Sequence, residues 1–157
     1  MDTARQLLRH SIATLAYRAA KPLRDAPESF CKFRPAEGAR TAVEILAHMG
    51  DLFDWALSSV QGQERWHSSE PQPWREETER FFAAVAAFDY YLASDAPLHA
   101  TADALFQGPI ADALTHIGQL SLMRRLAEAP VRPENYYVAE ITVGVVGADQ
   151  AAPVLEF

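Results

Sequence analysis

Residues 41–60, TAVEILAHMGDLFDWALSSV, decide the fold of this chain. Thr41 and Glu44 have the spacing of a capping box, in which two side chains satisfy backbone N–H groups at the start of a helix. Apolar residues then recur every three or four positions in two neighbouring stripes, Val43, Leu46, Gly50, Phe53, Leu57 and Val60 beside Ile45, Met49, Leu52 and Ala56. Because most of its circumference is apolar, this helix is predicted to lie inside a bundle.

Residues 3–21 and 74–93 show helical spacing on either side of this segment. The first segment is closed by Pro22, which cannot donate a backbone hydrogen bond. The second begins with several glutamates, whose charge complements the positive end of a helix dipole. Each carries one stripe predicted to be buried: Leu8, Ile12, Leu15 and Ala19 in the first, and Phe81, Val85, Phe88 and Leu92 in the second. Both are therefore predicted to be amphipathic helices.

A fourth helix is predicted to open at Gly108 and Pro109 and to run to about Glu128, since a proline is common at the first helical position. The chain contains 28 alanines, the residue with the lowest cost of entering a helix. The remaining internal segments are predicted to be a long ordered loop at 23–40, a crossover at 61–73, and either a loop or a short helix at 97–107. These patterns predict an all-α, four-helix bundle.

The C-terminal segment from about 130 to 157 has a different composition. Residues 136–147 read YYVAEITVGVVG, and their β-branched residues and glycines predict either an extended tail laid over the bundle or a short strand. The chain has 157 residues, enough for one domain with its own hydrophobic core. We therefore expect a single domain consisting of a helical bundle and a tail.

Charge and composition exclude several functional classes. The formal net charge of -7 argues against a nucleic-acid partner, because such proteins use lysine and arginine to bind phosphates. No apolar stretch approaches the roughly 18 residues of a membrane span, and the first residues lack a signal-peptide core. The single cysteine, Cys31, cannot form a disulfide within the chain. We therefore expect a cytoplasmic protein without a membrane partner.

Two histidines on the predicted helices are candidates for chemistry. His48 lies on the second helix, while Asp112 and His116 are four residues apart on the fourth and so project from one helix face. Two imidazoles and a carboxylate that converge can bind a divalent metal and leave coordination positions open. The simpler alternative, histidines hydrogen-bonded to their neighbours, stays open, because acidic residues are abundant in this chain. Glu44 is a candidate fourth ligand or general base, although the capping box explains it more simply.

Two motifs sharpen this hypothesis. Residues 46–55, LAHMGDLFDW, and residues 116–125, HIGQLSLMRR, resemble the histidine-bearing helices of the DinB-like (DinB/YfiT) superfamily of metal-dependent enzymes. The closing YYVAEITVGVVGADQ, residues 136–150, is similar to the tail of some members. The resemblance implies an up-down-down-up four-helix bundle. It also implies a divalent metal, usually nickel or zinc, held by one histidine of the second helix and an HxxxH pair of the fourth.

Residue by residue, His48 matches the single histidine and His116 the second member of the pair, whereas the first member is replaced by Asp112. A carboxylate oxygen is a harder ligand than imidazole, so manganese or iron becomes plausible beside nickel and zinc. Gln119, one turn beyond His116, is a candidate to hydrogen-bond and orient the ligands.

The resemblance further implies a homodimer and a small-molecule substrate. Better-characterised members are thiol S-transferases or isomerases that use a low-molecular-weight thiol, with the metal lowering the pKa of the nucleophile bound to it. An alternative of another class stays open. The same bundle could be a non-catalytic stress-response or ligand-binding protein whose metal site has degenerated, with Asp112 as a sign of that loss.

Overall fold

The computed structural model describes residues 2–157, and within that range it consists of helices and connecting segments without a β-strand. The predicted all-α class is therefore confirmed. The α-helices are α1 (Thr3–Leu23), α2 (Glu28–Cys31), α3 (Ala42–Val60), α4 (Trp74–Ala93), α5 (Ala102–Leu105) and α6 (Ala111–Leu126). A π-helical turn, Phe106–Ile110, joins α5 to α6, and a 3₁₀ turn occupies Tyr136–Val138. In the described part of the chain, no helix has the length and apolarity needed to cross a membrane.

The capping box predicted at the start of α3 is present. The Thr41 N–H donates to Glu44 Oε2 at 2.6 Å, and the Glu44 N–H donates to Thr41 Oγ1 at 3.3 Å. Two of the free N–H groups at the helix start are thereby satisfied, so α3 begins at Ala42 as the sequence predicts.

The four long helices bury one common core. α3 packs against α4 and α6, and α1 packs against the same two helices. The predicted stripes of α1 and α4 are buried in full, and most of both α3 stripes is buried as well. Burial of apolar surface contributes about 25 cal/mol per Å², so these stripes supply the main stabilisation of the bundle.

Two of the predicted helix ends are wrong, and one predicted loop contains a helix. α1 continues through Pro22 to Leu23, because a proline in the last turn removes a single hydrogen bond. The predicted loop at 23–40 contains the short helix α2, whose Phe30 is buried against Trp74. α6 ends at Leu126 rather than Glu128, where the left-handed backbone stops the helix.

The predicted opening of the fourth helix at Gly108 and Pro109 is also wrong. Helical structure already begins at Ala102, because the Thr101 hydroxyl accepts the Ala104 N–H at 3.2 Å and caps α5. Pro109 then lies inside the π-helical turn, where its missing N–H is tolerated. The ambiguous segment 97–107 therefore contains a short helix that leads into α6.

The tail lies over the bundle and is fixed to α1. It contains a single antiparallel bridge, between Glu134 and Glu156, in place of the short strand that was the other prediction. The Tyr17 hydroxyl donates to Glu134 at 2.6 Å, and Lys21 Nζ lies 2.7 Å from Glu134 and 2.8 Å from Glu156. Lys21 thus holds both residues of the bridge by opposite charge.

Candidate functional site

The structure brings the three predicted metal ligands together. His48 Nε2 lies 3.5 Å from Asp112 Oδ2, and His116 Nε2 lies 3.4 Å from Asp112 Oδ1. One ligand atom from each residue falls within 4.8 Å of the other two. The imidazole rings meet edge to face, with centroids 4.9 Å apart. Residues from helices far apart in the sequence therefore surround one point.

Helix packing explains this convergence. α3 packs against α6, and the spacing of four residues places Asp112 and His116 on the same face of α6. The histidine side chains are largely buried, at 18% exposed for His48 and 11% for His116, whereas Asp112 is 45% exposed. The ring of Trp66, from the crossover, lies 5.7 Å from His48 and covers it. The group is thus closed toward the core and open on the carboxylate side.

A hydrogen bond orients the imidazole ring of His116. Its Nδ1 lies 2.7 Å from Gln119 Oε1, and an amide oxygen can only accept a hydrogen bond. The contact therefore suits a hydrogen on Nδ1, and in the neutral tautomer that carries it the lone pair of Nε2 faces Asp112. Gln119 thus contacts His116 and orients its ring.

The environment of His48 favours its neutral form. Burial lowers the pKa of the His48 imidazole below its ordinary value, and the positive charge of Arg40, with that of His116 when it is protonated, lowers it further. The hydrogen bond and negative charge of Asp112 act in the opposite direction but do not reverse the shift. A neutral imidazole keeps the lone pair that coordination requires.

The donor set fits a divalent transition metal. Two imidazole nitrogens and one carboxylate oxygen suit zinc, nickel, manganese and iron, so the set does not select one of these metals. Three protein ligands leave at least one position for a water or a substrate. The exposed side of Asp112 gives such a molecule access.

A second histidine and aspartate group was missed by the sequence analysis. Asp51, Asp54 and His67 also bring ligand atoms within 4.8 Å of one another. Here Arg80 already supplies the positive charge, since its Nη1 lies 3.0 Å from Asp51 and 3.3 Å from Asp54. Ser69 donates two further hydrogen bonds to Asp51. This group is an ion-paired network that fastens the crossover to α3 and α4.

One feature of the sequence indicated this network: Asp51 lies among the apolar residues of α3. Its side chain is 3% exposed in the structure, and a buried carboxylate needs a cationic partner. His67 is 44% exposed and lies 3.3 Å from Asp51 and 3.4 Å from Asp54.

Glu44, the candidate fourth ligand or general base, lies outside the group of His48, Asp112 and His116. Its carboxylate accepts the Thr41 N–H and is 3.3 Å from Arg34. The hydrogen bonds from Thr41 and the charge of Arg34 lower the pKa of Glu44 below its ordinary value. Glu44 therefore acts as the capping residue, which was the preferred prediction.

No protein-family model, no curated protein and no solved structure matches this chain. The function must therefore be inferred from the geometry of the site.

Proposed function

We propose that this protein is a divalent-metal-dependent enzyme of the DinB-like group. His48, Asp112 and His116 would hold the ion, and a low-molecular-weight thiol would take part in an S-transfer or isomerisation of a small molecule. One observation carries the proposal: these three ligand atoms lie within 4.8 Å of one another, on two helices separated by fifty residues.

The contacts between helices support an up-down-down-up arrangement. Asp51 and Val60 of α3 meet Arg80 and Tyr91 of α4, in that order, as in parallel helices. Contacts of the other helix pairs support the same arrangement: Arg5 with Leu92 and Arg9 with Asp89 for α1 and α4, Arg124 with Pro22 for α1 and α6, and His48 with His116 and Trp55 with Gly108, in the turn before α6, for α3 and α6. They support α1 antiparallel to α4 and α6 antiparallel to α3.

A bound divalent ion would supply Lewis acidity, lowering the pKa of a coordinated thiol or water so that an anionic nucleophile exists near neutral pH. The chain's own residues contribute positioning. Gln119 orients the ring of His116, and Trp66 shields His48 from solvent. Asp112 adds negative charge and leaves the open side through which a substrate reaches the ligands.

Metal content tests the proposal directly. The protein is produced without an affinity tag, incubated with zinc, nickel or manganese, desalted and analysed by mass spectrometry. We expect one ion per chain in the parent. His48→Ala and His116→Ala should each weaken binding by about 100-fold or more, since even residues that only support ligands contribute 10- to 100-fold.

His67→Ala is the matched control, because it removes an imidazole from the group that Arg80 already neutralises. It should bind metal as the parent does. Sub-stoichiometric metal in the parent, unchanged by the substitutions, would contradict the proposal and favour the non-catalytic alternative. If metal binds, assays of thiol consumption with several low-molecular-weight thiols identify the reaction.

A further inference from the structure

Two cavities flank the group of His48, Asp112 and His116. A polar cavity of about 420 Å³ is lined by His48 and Glu44, among other residues. An apolar groove of about 350 Å³ lies on the other side, within the size range of small-molecule sites. His116 and Gln119 line the groove together with six apolar residues, Pro35, Ala39, Ile45, Leu122, Met123 and Leu126. Each cavity thus reaches one of the two histidines.

Arg40 belongs to both cavities. Its neighbour Arg34 is paired with Glu44 at 3.3 Å, whereas Arg40 has no ion pair or side-chain hydrogen bond with any residue between 2 and 157. The exposed guanidinium of Arg40 therefore lies at the rim of both cavities, where it can bind an anion. It presents several N–H donors in a planar fork, which matches a carboxylate.

The apolar groove exposes side chains that a folded protein normally covers. Leu122 is 57% exposed and Leu126 is 53% exposed, one turn apart on α6. Ile45 and Met123 are buried and form the floor of the groove. A ligand with an apolar chain would remove this surface from water.

We infer that the substrate is a small organic acid whose carboxylate pairs with Arg40 and whose apolar chain lies in the groove beside His116. This inference rests on the proposed function, because it places the substrate next to the group that would hold the metal. The charge of Arg40 favours binding of the acid over a neutral molecule of the same length. The apolar groove favours an acid with an apolar chain over acetate.

Binding of hexanoate, hexanol and acetate to the full chain tests the inference, with isothermal titration calorimetry as the measurement. The metal-free protein is used first, because a carboxylate can also bind a metal ion directly; the metal-loaded protein is measured second. We expect hexanoate to bind more tightly than either of the other probes. Arg40→Gln should weaken hexanoate binding by about tenfold, the loss expected for a hydrogen-bonded charge, and leave hexanol unchanged.

Arg125→Gln is the control, since it removes the same charge from an exposed position of α6 that lines a different cavity. Leu122→Asn should weaken hexanoate and hexanol alike. The inference is overturned if hexanoate and hexanol bind equally, if no probe binds, or if Arg40→Gln and Arg125→Gln behave alike. Failure of metal to bind would instead overturn the proposed function. The preference of the metal-free protein for hexanoate over hexanol and acetate is measured independently of that result.

Discussion

The two histidine and aspartate groups of this protein have similar side chains in different surroundings. In one, Asp51, Asp54 and His67 are joined by Arg80. In the other, His48, Asp112 and His116 converge without an arginine or lysine in ion-pair contact among residues 2–157.

The difference shows that proximity of ligand atoms alone does not define a metal site. The two groups differ in whether a side chain of the protein already supplies the positive charge. Arg80 satisfies Asp51 and also lies 2.8 Å from the buried carboxylate of Glu77, so the first group is complete within the protein. The second group has the imidazole lone pairs and the open side that a metal requires.

Removal of Arg80 gives the largest effect that this comparison predicts. Arg80→Ala leaves the buried carboxylates of Asp51 and Glu77 without their cation, so we expect a loss of about 3 kcal/mol in the free energy of unfolding. Urea denaturation at pH 7 measures this loss.

Arg75→Ala is the control for that substitution, because Arg75 forms an exposed ion pair with Glu79 on the same helix. Its loss should stay below about 1 kcal/mol. Equal losses in the two variants would contradict the view that Arg80 completes the first group.

Gln119→Leu examines the second group with a smaller expected effect. The substitution removes the acceptor of the His116 Nδ1–H and frees the imidazole to change tautomer. We expect zinc affinity to fall by about tenfold, measured by competition with a chelating dye. Gln6→Leu changes an exposed glutamine of α1 and should leave the affinity unchanged. Equal affinities in the two variants would show that Gln119 does not orient the ligand.

Substitution of Glu44 is expected to have the smallest effect, because its carboxylate, like that of Asp51, already has partners within the protein. The pKa of Glu44 lies below its ordinary value of 4.5, mainly because the carboxylate accepts the Thr41 N–H. A carboxyl group with a lowered pKa contributes stability above its ordinary pKa and loses it as the pH falls through the folded value.

We therefore expect the parent to lose more stability than Glu44→Gln as the pH falls from about 5 to about 3, by less than about 1 kcal/mol. Urea denaturation across this range measures the difference, and Glu44→Gln should bind metal normally. Glu37→Gln removes an exposed carboxylate that caps no helix and should follow the parent. Identical pH profiles for Glu44→Gln and the parent would contradict the capping role.

Much of the bundle could be predicted from the sequence. Periodicity located the four long helices, since their buried stripes depend only on local spacing. The capping box fixed the start of α3 because both of its hydrogen bonds are local. The π-helical turn was not predicted, because Gly108 and Pro109 have the pattern of a helix start. In the structure the helix begins earlier and continues through both residues, with Leu105 buried in the core.

For the site, helical spacing alone predicted that Asp112 lies beside His116. Their proximity to His48 could be predicted only by assuming that the second and fourth helices face each other, and from the family resemblance. Arg80 could not be assigned to Asp51 from the sequence. The two residues are 29 positions apart and meet only through the packing of α3 against α4.

The π-helical turn Phe106–Ile110 has a consequence for changes in chain length. A π turn accommodates one residue more than an α turn, and each residue of an α-helix advances the direction of its side chain by roughly 100°. Deletion of a single residue in this turn would therefore convert it into an α turn and leave α5 and α6 in nearly the same relative orientation. Leu105, now 2% exposed, would stay in the core, whereas a deletion inside α6 would rotate the residues that precede it by roughly 100°.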